Sequence, residues 1–250
     1  KMNKVIFLLL MLFSSAAFSQ IISNSDKSEE TEKEVVKETD KESSDKSGVE
    51  IYVGFNPNYT YRTLAENDGL FSQPIGERAN EIGEWISSYE MGIRNDLGGN
   101  FQLQLGVGFA QNRESYSFES NEQDSVFRYV NTYRHISFPI RVNYVYGDAI
   151  ALYGAIGFMP KAFLSLQNIE TTLDINNQEN DLTTIDKDGF NFIVLDVMAT
   201  LGTKIEFNEN YGIFAAFEAR QQLTNTYSNQ SPYIRRPYAL GFSMGIQVYL

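Results

Sequence analysis

The stretch YALGFSMGIQVYL, Tyr238–Leu250, decides the fold. Tyr238, Leu240, Phe242, Met244, Ile246, Val248 and Leu250 alternate with Ala239, Gly241, Ser243, Gly245, Gln247 and Tyr249, so an extended chain has one apolar face and one small or polar face. A soluble sandwich would turn the apolar face inward. Here the other face is so rich in Gly, Ala and Ser that it reads as the crowded one, which leaves the apolar face for surrounding hydrocarbon.

The same phase opens the domain, where Ile51, Val53, Phe55, Tyr59 and Tyr61 alternate with Tyr52, Gly54, Asn56, Asn58, Thr60 and Arg62. Between these ends the pattern predicts strands near 85–97, 101–114, 129–146, 149–166, 190–207 and 211–224, which makes eight. Several exceed the ~9–11 residues that cross a bilayer, so their excess is expected to project beyond it. Connections alternate in length. Gly98-Gly99-Asn100, Gly147-Asp148 and Asn208-Glu209-Asn210 are short, whereas 63–84, 115–128, 167–189 and 225–236 are long. Outer-membrane barrels place short turns on the periplasmic side, so an even strand count puts both termini there.

Composition narrows the class. The 250 residues hold 18 Phe and 15 Tyr but no Cys, with a net charge of -12. A mean hydropathy of -0.30, with no long apolar run after the first residues, excludes a helical membrane bundle. The lack of Cys excludes a disulfide framework, a thiolate metal site and a lipoprotein anchor. The acidic balance argues against a nucleic-acid partner.

Lys1 and Lys4, the apolar run Val5–Phe13 and the small residues Ala17 and Ser19 before Gln20 predict a signal peptide at 1–19. The following stretch Ser23–Gly48 carries nine acidic and five basic residues, with only Val35 and Val36 apolar. It cannot bury enough surface to offset its ordering entropy. The expected fold is all-β: an eight-stranded antiparallel transmembrane up-and-down β-barrel over 49–250, preceded by the signal peptide and a disordered acidic periplasmic tether at 20–48.

The stretch RHISFPIRVNYVYGDAIALYGAIGFMPK, Arg134–Lys161, resembles the PorT-like outer-membrane β-barrel family, whose middle hairpin carries an apolar-Pro-apolar core. Pro139 and the strand with Gly154 and Gly157 carry the resemblance. LDVMATLGTKIEF, Leu195–Phe207, is similar to that family's later Asp-and-Gly strand. The resemblance implies a cell outer-membrane location and, as one alternative role, a component of a type IX-like secretion apparatus. The chain departs from the pattern in its acidic tether and in ending on Leu250, where an aromatic residue is more usual.

Three groups of residues bear on function. His135 and Ser137 share one strand face, as in lipid-modifying barrel enzymes, but the nearest downstream carboxylate, Asp148, is about 40 Å along an extended chain. A lone lumen histidine is the preferred reading, and no enzyme activity is expected. Glu170, Asp174, Glu179, Asp181, Asp186 and Asp188 form an acidic loop with only fragments of an EF-hand pattern, so they read as solvated charge rather than a calcium site. No metal or cofactor is expected. Strand phase turns Glu90, Arg94, Arg141, Asp196, Lys204, Glu218 and Arg220 inward, where charges can pair, because on the lipid face each would cost ~2–4 kcal/mol at mid-membrane. Glu90 and Glu218 fall at similar depth, with Arg141 and Arg220 close to that level. Such a filling disfavours a small porin. The expected role is a non-enzymatic structural or accessory one in an envelope assembly. The expected partners are outer-membrane lipid, lipopolysaccharide and other envelope proteins, met through the extracellular loops.

Overall fold

The computed structural model describes residues 48–67, 74–120, 125–173 and 178–250. The signal peptide and all of the tether except Gly48 lie outside these residues. Ten strands follow one another: β1 Val49–Glu66, β2 Ile82–Gly98, β3 Phe101–Ser120, β4 Ser125–Ser137, β5 Ile140–Tyr146, β6 Ile150–Leu173, β7 Glu179–Asp186, β8 Ile193–Glu206, β9 Tyr211–Gln222 and β10 Tyr233–Tyr249. A short 3-10 turn, Gly76–Asn80, precedes β2.

The sheet closes on itself. Every neighbouring pair is antiparallel, β1 joins β10, and β2 returns to β3. β4 and β5 occupy one stave, both lying between β3 and β6, and β7 pairs only with β6. The ring therefore has eight staves. The single strand expected at 129–146 is broken because Pro139 has no N–H to give the ladder. The Phe138 N–H still reaches the Pro160 carbonyl (2.9 Å) and the Pro139 carbonyl accepts from Gly106 (3.0 Å), so the stave keeps its course.

The side chains sort as the alternation requires. Leu240, Phe242, Met244 and Ile246 are exposed, whereas Ala239, Ser243 and Gln247 are buried. Small residues on the inner face make room for large neighbours: a Cβ on Gly245 would lie 2.7 Å from the Phe214 ring and 2.0 Å from the Val53 carbonyl oxygen.

Two of the four connections expected to be long, 115–128 and 167–189, are largely strand. β3 and β4 continue to Ser120 and from Ser125, while β6 runs to Leu173 and returns as β7. β10 likewise starts at Tyr233, five residues before the apolar alternation at Tyr238. The short turns fall as expected; Gly98 (φ 101°), Gly99 (φ 61°) and Gly147 (φ 114°) supply left-handed backbone there.

One seam of the ring is irregular. Gly83 pairs with Glu114 and Tyr89 with Phe109, so β2 carries one residue more than β3 between those pairs, a bulge without ladder bonds. Side chains close the gap. Thr60 Oγ1 accepts the Arg113 N–H (2.8 Å), Ser88 Oγ accepts the Gln111 N–H (3.2 Å), and Gln111 Nε2 donates to the Ser87 carbonyl (2.8 Å). Thr60→Val removes the acceptor for the part-buried Arg113 amide and is expected to cost about 1–3 kcal/mol in urea unfolding from lipid vesicles. A change under about 0.5 kcal/mol, the range of a neutral surface substitution, would show that the hydroxyl does not hold this seam.

Candidate functional site

The inward face of each stave contributes to a column of charge, which forms four clusters between the short turns and the long hairpins. Nearest the short turns, Glu50 on β1 receives Lys204 from β8 and Arg94 from β2, each at 3.2 Å. Gln102 Nε2 donates to the same carboxylate (2.8 Å), and Arg94 also donates to Gln247 Oε1 (2.8 Å). The Arg94 guanidinium lies 4.4 Å from the Tyr52 ring centroid and 4.7 Å from that of Phe214. The rings dry the pair and are attracted to its charge.

In the next cluster Arg141 forks onto Glu90, with Nη1–Oε1 at 2.8 Å and Nη2–Oε2 at 2.7 Å. The same Nη2 reaches Glu218 Oε2 at 3.1 Å, and Arg220 Nε stands 3.3 Å from Glu218 Oε1. Two carboxylates and two guanidinia from β2, β5 and β9 thus neutralise one another in the middle of the barrel. All four are buried. Separating such charges from water costs several kcal/mol per ion, offset only because the bonds are charge-assisted and, at Arg141, bidentate.

Farther along, Lys161 on β6 pairs with Asp196 on β8 (2.7 Å) and donates to Gln222 Oε1 (3.1 Å). The last cluster centres on Glu114, which accepts from Arg235 (Nε at 3.2 Å, Nη2 at 3.1 Å) and faces Arg62 Nε at 2.9 Å. Arg62 also binds Glu81, which takes Arg78 Nε (3.2 Å) and the Tyr129 hydroxyl (2.7 Å). The Arg235 guanidinium covers the Tyr133 ring at 3.6 Å, and the Tyr133 and Tyr227 hydroxyls are 2.8 Å apart. Over this end the chain at Phe190 folds in, stacking on Phe163 at 4.3 Å and bridging to Tyr227.

The seven residues singled out from strand phase, Glu90, Arg94, Arg141, Asp196, Lys204, Glu218 and Arg220, are all inward and buried. Glu90, Arg141, Glu218 and Arg220 meet one another. Arg94 and Lys204 meet at Glu50, and Asp196 meets Lys161, two partners that the sequence reading did not name. It also missed the outermost cluster, although Arg62 continues the inward phase of Asn58 and Thr60, and Glu114 continues that of Asn112.

His135 and Ser137 are buried, with the His135 ring edge-on to Phe163 at 5.5 Å, and neither imidazole nitrogen has a hydrogen-bonded carboxylate among the described residues. Asp148 sits in a short turn. The acidic stretch forms the outer part of the β6–β7 hairpin, where Thr171 Oγ1 donates to Asp181 (2.6 Å) and Glu179 pairs with Arg128 (3.2 Å). Among the described residues no group of His, Cys, Asp or Glu is set to hold a metal, and Asp174 lies outside them.

These features define an eight-stranded antiparallel barrel with an apolar exterior and an ion-paired interior. No family model and no curated protein matches the chain, so the PorT-like resemblance has no counterpart there. Among solved structures, the outer membrane protein OprG from Pseudomonas aeruginosa shares 10% identity at TM-score 0.47, over 82% of this chain and 97% of that one. Neisserial surface protein A shares 10% identity at TM-score 0.41, over 82% and 98%. Ail of Yersinia pestis shares 14% at TM-score 0.31, over 79% and 98%. These values are too low to carry any property of those proteins to this chain.

Proposed function

We propose that this chain is a non-enzymatic outer-membrane β-barrel, with both ends of the barrel on the periplasmic side and its long hairpins serving an envelope assembly as an interaction surface. The inverted polarity carries the reading. Ile246, Phe242, Ile156, Leu152 and Met91 are exposed to the surroundings while Glu90, Arg141 and Glu218 are buried, an arrangement stable only if the surroundings are apolar. Aromatic residues bound the belt. Phe101, Tyr144 and Tyr211 stand near the short turns; Trp85 against Tyr59 and Tyr61 against Tyr238 stand near the hairpins. Among the described residues no helix is long and apolar enough to cross a membrane.

Two results are expected. The unboiled protein migrates apart from the boiled protein in SDS gels and fractionates with outer-membrane lipid; identical migration together with recovery from the soluble periplasm would overturn the reading. In planar bilayers it shows no steady large conductance, because eight staves enclose a bore that side chains can fill. Stable nanosiemens-scale steps would restore the porin alternative.

A further inference from the structure

Among the described residues the outward-facing arginines all stand at the hairpin end. At the short-turn end Arg94 and Lys204 turn inward, and Asp96 and Glu206 continue the same phase at the mouth of the bore, where Asp96 accepts from Gln102 (2.8 Å). At the hairpin end the wall made by β3, β4 and β6 changes character within two rungs. Phe109 pairs with Ile136, then Gln111 with Arg134, then Arg113 with Thr132. Arg113 and Arg134 are thus diagonal neighbours on adjacent strands, within ~7–8 Å at their Cβ atoms. Both lie half-buried along the wall, and Thr132, which Arg113 touches, is buried.

Neither guanidinium has a carboxylate partner among the described residues. Arg113 Nε donates to Thr132 Oγ1 (3.1 Å), and Arg134 donates to the neutral Gln167. Glu84, on the neighbouring stave, is engaged by Ser115 Oγ (2.5 Å). Arg128, farther out on the same wall, differs in being held by Glu119 and Glu179. In a chain of net charge -12, two adjacent uncompensated arginines at the upper edge of an apolar belt are a specific feature. Their donors match a phosphate, which two guanidinia can grip in fork geometry.

We infer that Arg113 and Arg134 form a clamp on the outer wall for the phosphate of an outer-leaflet glycolipid headgroup, whose acyl chains lie along Phe109, Ile136 and Leu164 below. The inference rests on the membrane reading above. The headgroup is favoured over a free anion because the clamp opens onto the lipid-facing wall at the boundary where headgroups lie, not into a recess.

The test uses the full barrel in phosphatidylcholine nanodiscs doped with bisphosphorylated lipid A, with retained lipid A counted by native mass spectrometry after exchange into detergent. Wild type is expected to retain lipid A. Arg113→Gln and Arg134→Gln should each lower its affinity about tenfold, and the double variant more. Arg236→Gln, an outward arginine on β10, should leave retention unchanged, and Arg134→Lys should restore part of it. Dephosphorylated lipid A should bind wild type no better than it binds the double variant. Heat-modifiable migration of each variant reports that it has folded. Equal retention by wild type and the double variant overturns the clamp, as does equal retention of dephosphorylated lipid. Binding of inorganic phosphate as tight as that of lipid A would likewise overturn it, as a free-anion site. Failure of wild type to enter nanodiscs at all would instead refute the membrane reading.

Discussion

Glu218→Ala is expected to destabilise the barrel by about 3–5 kcal/mol, because it removes one of two carboxylates shared among two buried guanidinia and leaves Arg220 without an acidic partner. Arg141→Ala should cost as much or more, since it strands Glu90 and part of Glu218 together. The control is Asp181→Ala on the exposed β6–β7 hairpin, whose bond to Thr171 is worth under about 1 kcal/mol. Urea unfolding of the three variants from lipid vesicles makes the comparison. Similar losses for Glu218→Ala and Asp181→Ala would mean that the interior is wet enough to solvate the charges, and the filled bore would be wrong. Glu90→Gln combined with Arg141→Met tests the same point from the other side. Replacing both members of a buried pair by neutral groups of similar volume should cost less than removing either alone.

The second large effect is expected on the outer wall. Phe242 lies midway along β10, between Tyr238 near the hairpins and Val248 near the short turns, and faces Phe217 across the strand pair at 6.1 Å. Phe242→Arg should therefore destabilise the inserted protein by about 2–4 kcal/mol, whereas the same change near the rim, Leu223→Arg, should cost about 1 kcal/mol or less. A water-facing wall would abolish the ranking, with arginine tolerated at both sites.

The barrel was legible in the sequence because its two faces differ in chemistry. On β10 the alternation of Leu240, Phe242 and Met244 with Ala239, Gly241 and Ser243 exists only where one face meets lipid and the other a packed bore. The same signal vanishes where a strand leaves the membrane. Beyond Tyr116 and Tyr129, β3 and β4 keep their ladder bonds up to Ser120 and Ser125, but Ser117, Glu119 and Arg128 are not sorted by a lipid face, so nothing periodic marks them. β7 was invisible for that reason: every residue of Glu179–Asp186 is exposed. The interior charges divide on this line only in part, since Arg62, Glu114 and Lys161 stand in strands that were read, yet were not named with the lumen set. Glu90, Arg141 and Glu218 stand in the clean alternating segments. Arg235 and Glu81 fall in stretches read as loops, and Glu50 adjoins the acidic stretch, where a glutamate carries no contrast. The lapse at Pro139 is a different failure, in which periodicity continues across a residue that cannot donate to the ladder.

Whether the apolar phase of each stave meets lipid while the other fills the bore can be read from a spin-label scan along β10. Nitroxides would be attached singly to Ala239→Cys, Leu240→Cys, Phe242→Cys, Ser243→Cys, Met244→Cys and Ile246→Cys in reconstituted protein. Each would be relaxed by oxygen, which concentrates in lipid, and by a water-soluble nickel chelate. Labels at 240, 242, 244 and 246 are expected to be mobile and strongly relaxed by oxygen but not by nickel, while those at 239 and 243 are expected to be immobilised and reached by neither. Strong nickel relaxation at 242 and 244, or the absence of any period of two, would contradict that arrangement.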